Sequence, residues 1–225
     1  MGQSFSKGRE ATKDRRARVT SRRSDRKLQR SGREAPEPNT AAAVTAEAAP
    51  PADAVAAEDA RRRAACDAFY AAKCRPGFKG VTDVTAEELL ARADLAEAVL
   101  LVDCRAPKEI AVSKLAGSVS QEAFNAGWEE MLLTAGGGGG GSGAAAKAAR
   151  EVVMYCTIGG RSGAAAKAFG AAHPEVAVSN FKGSLIEWAH AGGEFVDAEG
   201  LPTRRVHAWG RKFGDMMPQG VEVVV

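Results

Sequence analysis

This sequence contains few aromatic residues and lacks long hydrophobic runs. Aromatic residues make up 6% of its 225 residues. No stretch of about 18 consecutive apolar residues occurs, which is close to the minimum length of a membrane-spanning helix. The N-terminus also lacks the apolar segment of a secretory signal peptide. The sequence therefore predicts neither a transmembrane helix nor a secretory signal.

Cysteine is also scarce, and its spacing argues against two common uses. The four cysteines are Cys66, Cys74, Cys104 and Cys156. None of them forms a Cys-x-x-Cys pair, and no His-x-x-x-His accompanies them, so the pattern indicates neither a zinc site nor a disulfide framework. We therefore expect a reducing compartment and at least one functional thiol, with no metal or other cofactor.

Positive charge is concentrated at the N-terminus. The whole chain carries +3, but residues 1–34 hold 12 Lys/Arg against 4 Asp/Glu, whereas the remainder holds 19 basic and 24 acidic residues. Residues 35–57 continue with Ala, Pro, Thr and Glu in low-complexity order. Because neither stretch has enough apolar surface to offset chain entropy, residues 1–57 are predicted to form a disordered tail.

The rest of the sequence alternates apolar runs with helical patterns. Short unbroken apolar runs are typical of strands buried on both faces of a parallel sheet, and Thr85 with Glu88 forms a capping box at a helix start. Strands are predicted at residues 99–102, 151–155 and 176–178, and helices at 60–73, 85–92 and 162–172. A strand, tight loop, helix and strand in succession predict an α/β fold with a parallel sheet.

Cys156 stands where this fold places ligand sites, at the carboxyl end of a strand and just before a helix. Gly159 and Gly160 allow the loop between this strand and this helix to turn several backbone N–H groups towards one point. The helix starting near Ser162 adds its N-terminal dipole. A thiolate at that point is stabilised, so the pKa of Cys156 is expected to fall below the free value of about 8.5.

The loop from Cys156 to Ser162, Cys-Thr-Ile-Gly-Gly-Arg-Ser, resembles the active loop of rhodanese-like domains, Cys-x-x-Gly-x-Arg-Ser. Further segments resemble that family in the same order over about residues 80–205. They are the strand end Asp103-Cys104-Arg105, the acidic Glu109, the segment 114–118 and the late segment 181–188. Thr157 stands where many members have arginine, and Ser184 replaces a glycine.

The resemblance implies a three-layer domain with a central parallel sheet and helices on both faces. It also implies a sulfurtransferase, which moves a sulfane sulfur from thiosulfate or a persulfide donor to a thiol or cyanide acceptor through a persulfide on Cys156. The residues expected to bind the donor are Thr157, Ile158, Gly159, Gly160, Arg161 and Ser162.

Three further residues are candidates for a supporting role. Asp103 and Arg105 are either substrate contacts or, as we prefer, a strand-end carboxylate and an ion-paired arginine that could also meet Glu109. Cys104 ends a neighbouring strand, so it is either a packing residue or a thiol that resolves Cys156.

Two other functions stay open. The changes at Thr157 and Ser184 leave room for a rhodanese-like module that binds or senses redox state without turnover. The related cysteine phosphatases use Cys-x5-Arg, whereas here Arg161 follows Cys156 after four residues and Ser162 occupies the next position. The loop is therefore one residue short for a phosphate, which disfavours a phosphatase.

The chain divides into four predicted parts. They are the tail 1–57, an N-terminal helix 58–79, the rhodanese-like domain 80–205 and a C-terminal extension 206–225. Residues 136–143 are almost pure glycine and are predicted to form a surface loop inserted into the domain. No Gly-Lys-Ser/Thr follows them, so they do not indicate a phosphate-binding loop.

The first residues fit Met-Gly-x-x-x-Ser, the pattern for myristoylation of Gly2. A single acyl chain binds membranes weakly, and the basic tail would add attraction to an anionic membrane surface. The chain is therefore expected to be cytoplasmic and attached to a membrane.

The alternative is an organelle transit peptide, for chloroplast or mitochondrion, although Glu10, Asp14 and Asp25 argue against it. Nucleic-acid binding is not indicated, because no aromatic residues are interleaved with the basic ones.

Overall fold

The computed structural model describes residues 51–92, 94–134 and 151–225. Most of the tail predicted over 1–57, including Gly2, lies outside these residues, as does the glycine-rich insertion predicted at 136–143. The strands are β1 (Thr82–Val84), β2 (Val99–Asp103), β3 (Val119–Ser120), β4 (Glu151–Tyr155), β5 (Val178–Phe181), β6 (Phe195–Val196), β7 (Pro202–Thr203), β8 (Arg205–His207) and β9 (Glu222–Val224). The α-helices are α1 (Ala52–Phe69), α2 (Ala86–Leu90), α3 (Leu95–Ala98), α4 (Pro107–Ile110), α5 (Gln121–Thr134), α6 (Gly160–Ala172), α7 (Ser184–His190) and α8 (Arg211–Gly214).

Five of these strands form one parallel sheet in the order β1-β5-β4-β2-β3. β4 lies at its centre, with Asp103 of β2 paired to Tyr155 and Met154 of β4 paired to Asn180. The carboxyl ends of β2, β4 and β5 therefore lie side by side. Residue 156 follows the middle one, so the cysteine loop opens at the centre of this edge.

Side chains alternate between the two faces of the sheet and build a hydrophobic core on each. Along β4, Val153 and Tyr155 join one core, whereas Val152 and Met154 join the other together with Cys156. Residues of α1, α2, α7 and α8 cover the first core, and residues of α5 and α6 cover the second. The predicted α/β architecture, a central parallel sheet with helices on both faces, is confirmed.

The strand predicted at 176–178 was misplaced, because it runs over Val178–Phe181. Its inner residues include Ser179 and Asn180, which are polar yet buried, so hydropathy does not reveal them. Strands β1 and β3 have three and two residues and are too short to show a pattern.

The capping box was predicted correctly: the Thr85 side chain accepts from the Glu88 backbone, and the Glu88 side chain accepts from the Thr85 backbone.

The N-terminal helix begins earlier than predicted. α1 starts at Ala52, so residues 52–57 are helical rather than part of a disordered tail. Alanine has the highest helix propensity, so an Ala-rich stretch can form a helix that its low-complexity composition does not reveal. The helix then widens into a π-turn at Tyr70–Cys74 and tightens into a 3-10 turn at Arg75–Phe78. Within the described residues no helix is long and apolar enough to cross a membrane.

The C-terminal segment completes the first core. Val206, Ala208, Phe213 and Met217 all belong to it, and each is less than a tenth exposed. β8 and β9 pair in parallel across the turn that α8 supplies. The segment predicted as an extension at 206–225 is thus packed against the sheet-covering helices.

Met217→Ala is expected to destabilise the protein by about 2–5 kcal/mol, the cost of truncating a buried methionine. Met217 is fully buried. Leu201→Ala is the matched control, because Leu201 is 62% exposed, and its effect is expected to stay within about 0.5 kcal/mol. Urea unfolding followed by tryptophan fluorescence measures both. Equal, small losses in the two variants would show that the C-terminal segment does not contribute to the core.

Candidate active site

The sulfur of Cys156 lies inside the loop that joins β4 to α6. The Gly159 backbone N–H donates to Sγ at 3.2 Å, and the Ser162 hydroxyl lies 3.7 Å from Sγ. Gly159 has a φ of +91° and ends the loop at the first turn of α6. A side chain there would meet the ring of Tyr70 at 2.8 Å and the Phe181 carbonyl at 3.0 Å. Glycine is therefore required at 159 by both conformation and space.

Two opposing effects set the ionisation of Cys156. Its side chain is buried, with 1% exposed, and burial raises the pKa of a thiol. The Ser162 backbone and hydroxyl, the charge of Arg161 and the Ile158 backbone act in the opposite direction and together bring the pKa of Cys156 below its usual value. The loop therefore favours a thiolate, which is the nucleophilic form of cysteine.

Arg161 is held by a two-point ion pair. Its guanidinium donates to the two carboxylate oxygens of Glu109 at 2.7 and 2.8 Å, and also to the Thr157 hydroxyl at 3.1 Å. Although burial alone would raise the pKa of Glu109, hydrogen bonds from Arg161 and from the Ala106 backbone lower it. The fully buried Glu109 therefore stays ionised and fixes Arg161 beside the loop.

A buried polar chain leads from Ser162 to the N-terminal helical segment. The Ser162 hydroxyl donates to Asn180 Oδ1 at 2.7 Å. The Asn180 amide in turn donates to Tyr70 Oη at 2.9 Å and to Asp83 at 3.1 Å, and Tyr70 donates to Asp83 at 2.6 Å. Because the carboxylate of Asp83 accepts only, it fixes which way the amide points.

Ser184, at the start of α7, supports the cysteine loop. It adopts a φ of +48°, a conformation that favours glycine, and it stands where the resemblance has a glycine. Its hydroxyl accepts from the Cys156 backbone N–H at 3.1 Å and donates to the Phe181 carbonyl at 2.8 Å. These two hydrogen bonds offset the strained backbone and tie the start of the loop to β5.

Asp103 and Arg105 pair with each other. Arg105 donates to the two oxygens of Asp103 at 2.9 and 2.7 Å and to the Ser113 carbonyl, and both side chains are almost completely buried. The second guanidinium nitrogen of Arg105 has no partner in the described part of the chain. The ion-pair interpretation of Asp103 and Arg105 therefore describes the observed contacts, but Glu109 binds Arg161 instead of Arg105.

Two other thiols lie close to the loop. Cys104 packs in the same core as Cys156, and burial, together with the charge of Cys156, raises its pKa. Cys74 Sγ lies 3.2 Å from the position that a side chain at Gly160 would occupy, and burial raises the pKa of Cys74 to about 11. No sequence pattern points to Cys74, because it reaches the loop only through the π-turn that follows α1.

The predicted loop residues thus lie together around the Cys156 sulfur, and they differ in what each contributes. Cys156, Thr157 and Ile158 are buried, Gly159 donates to the sulfur, Gly160 starts α6, and Arg161 and Ser162 contribute side chains. Sequence patterns do not predict the three residues Tyr70, Asn180 and Trp209, which also lie around this loop. None of them belongs to a local motif, so only the folded chain reveals them.

Comparison with known proteins gives one family. The rhodanese-like domain family model matches residues 85–191. Among curated proteins, none matches the chain.

Three solved structures illustrate what the chain is similar to. One is a rhodanese-related protein from Thermoplasma volcanium, with 17% identity over 51% of this chain and 97% of that chain and a TM-score of 0.36. Another is a thiosulfate sulfurtransferase from Pseudomonas aeruginosa, with 18% identity over 64% of this chain and 24% of that chain and a TM-score of 0.41. A third is a protein of unknown function from Rhodopseudomonas palustris, described as a possible tyrosine phosphatase, with 21% identity over 65% and 97% and a TM-score of 0.36. Residues 85–191 thus form a domain that matches the rhodanese-like family.

Proposed function

We propose that the protein is a sulfurtransferase that carries a sulfane sulfur on Cys156, from thiosulfate or a persulfide donor to a thiol or cyanide acceptor. The observation that supports this most is the environment of the Cys156 sulfur. A backbone N–H at 3.2 Å, the start of α6 and the charge of Arg161 all favour a negative charge on it. The same environment suits a persulfide, which is also an anion.

The reaction proceeds by two displacements. The Cys156 thiolate attacks the outer sulfur of the donor, the donor's S–S bond breaks, and the electron pair leaves with sulfite or a thiolate. Cys156 now carries the sulfur as Cys–S–S⁻. The acceptor then attacks that outer sulfur, which leaves with the acceptor as thiocyanate or a new persulfide, and the Cys156 thiolate returns.

The proposed reaction includes no separate general base, because the loop lowers the pKa of Cys156 and so favours the thiolate. The three histidines fit other tasks: His173 packs on Trp128 and Phe169, while His190 bonds to the Met216 carbonyl and His207 accepts from the Trp209 backbone. Gly159, Ile158 and Ser162 would hold the charge of the persulfide. Arg161, fixed by Glu109, would orient the anionic end of the donor.

The second candidate is a module that binds or senses redox state without turnover. The deep burial of Cys156, 1% exposed, and the two thiols packed near the loop favour it. In that function Cys104 would resolve an oxidised Cys156, since the two residues directly follow neighbouring strands and belong to the same core. The loop length of Cys-x4-Arg continues to disfavour a phosphatase.

Brief exposure of the full chain to thiosulfate is expected to add the mass of one sulfur atom, and cyanide should remove it. Intact mass spectrometry measures both steps. Cys156→Ser should gain nothing, because the acceptor of the sulfur is gone. Cys66→Ser is the matched control and should behave like the wild type, since Cys66 lies on α1 in a different core from Cys156.

Absence of the gain, both with thiosulfate and with a small organic persulfide, would contradict sulfur transfer. A mass change under peroxide that requires both Cys156 and Cys104 would then support the redox-sensing module.

We further propose that Gly2 is myristoylated and that the basic tail binds an anionic membrane. Protein made with an N-myristoyltransferase should cosediment with vesicles containing phosphatidylserine, because lipid and polybasic charge act together. Gly2→Ala should lose most of this binding, whereas Gly8→Ala should keep it. Equal sedimentation of both variants would contradict the lipid anchor.

A further inference from the structure

The indole of Trp209 is an exposed aromatic group beside the candidate active site. It is 61% exposed, and the guanidinium carbon of Arg161 lies 5.7 Å from the centre of its ring. Arg161 is the charged side chain of the cysteine loop, and 36% of it is exposed. Trp209 lies outside the residues that match the rhodanese-like family, 85–191, so nothing in the family match accounts for it.

The chain holds this indole in place against a conformational cost. Trp209 has a φ of +63°, a backbone conformation that a bulky residue adopts only when its surroundings impose it. Its backbone N–H donates to Nδ1 of the buried His207 at 3.1 Å. Its ring packs on Phe213, with 5.6 Å between the ring centres. The backbone of Trp209 is thus strained, two contacts hold the residue, and its large apolar ring faces solvent. These features indicate that the ring has a function outside the core.

The charges near the Trp209 ring indicate which class of sulfur donor it can bind. Arg161 is already paired with both oxygens of Glu109, and Thr157 occupies a position where a second arginine would add charge. A compact dianion would therefore meet one positive charge here, that of Arg161, which Glu109 already neutralises. A donor with an apolar or aromatic body could in addition pack on the flat, exposed indole next to Arg161.

The burial of the sulfur decides which part of the donor meets Trp209. Because Cys156 is 1% exposed, only the reacting sulfur of a donor needs to reach it. The leaving group stays nearer the surface, where the exposed part of Arg161 and the Trp209 ring lie together.

We propose that Trp209 is a specificity-determining residue that selects sulfur donors whose leaving group carries an apolar or aromatic body. This inference rests on the proposed sulfur transfer. The relevant donor class is an organic sulfane-sulfur compound of the form R–S–S⁻ or R–SO₂–S⁻, in which R packs on the indole while the terminal sulfur passes to Cys156.

Two thiosulfonates test the proposal, because they share the reacting group and differ only in R. Methanethiosulfonate and benzenethiosulfonate each give Cys–S–S⁻ and a sulfinate, and cyanide then releases thiocyanate and the Cys156 thiolate. Thiocyanate is measured, with Cys156→Ser as the blank for direct reaction. The quantity of interest is kcat/KM for the phenyl donor divided by kcat/KM for the methyl donor.

The wild type is expected to favour the phenyl donor, and Trp209→Ala should lower the ratio by roughly 2- to 10-fold, the factor that an aromatic pair contributes. Trp209→Phe should keep part of the preference. Trp209→Asn serves as a second variant without the ring, because asparagine tolerates the left-handed backbone, and it should match Trp209→Ala. Leu201→Ala removes an equally exposed apolar side chain in the turn between β6 and β7 and should leave the ratio unchanged.

The failures are distinguishable. If the wild type forms thiocyanate from both donors but the ratio in Trp209→Ala and Trp209→Asn equals the wild-type ratio, the role of Trp209 is overturned and sulfur transfer stands. If neither donor yields thiocyanate above the Cys156→Ser blank, the sulfurtransferase proposal itself fails and the Trp209 inference fails with it.

Discussion

A thiolate that is 1% exposed must recover from its neighbours the hydration that it has lost. At Cys156 the neighbours are the backbone N–H groups of a seven-residue loop, the start of α6 and the charge of Arg161. Most of the surrounding structure serves to keep these donors aimed at one sulfur atom. The central position of β4 in the sheet places the loop, and the positive φ of Gly159 closes it.

Three groups outside the loop hold it in place. Glu109 on α4 fixes Arg161, Ser184 at the start of α7 binds the Cys156 backbone, and Asn180 on β5 takes the Ser162 hydroxyl. Such supports limit the freedom of the charged groups, which matters because a misplaced donor stabilises a buried anion poorly. Two segments outside the family match also take part, with Tyr70 from the N-terminal helical region behind the loop and Trp209 from the C-terminal segment at its mouth.

Sequence patterns predict this structure where the determining forces are local. The apolar runs of β2 and β4, the capping box at Thr85 and the cysteine loop all lie within a few consecutive residues. Prediction failed where distant residues decide the outcome. β5 contains buried polar side chains that pair with residues of other elements, and Trp209 becomes interpretable only beside Arg161.

The central claim is that the loop keeps a buried Cys156 ionised. The direct measurement is the absorbance of the thiolate near 240 nm as a function of pH, taken as the difference between wild type and Cys156→Ser so that the other thiols cancel. Because the pKa of Cys156 is lowered in the folded protein, the thiolate signal should persist below the usual thiol pKa of about 8.5 and be lost only as the pH falls further. A transition at or above that value would mean that burial outweighs the loop donors, and the account given for Cys156 would be contradicted.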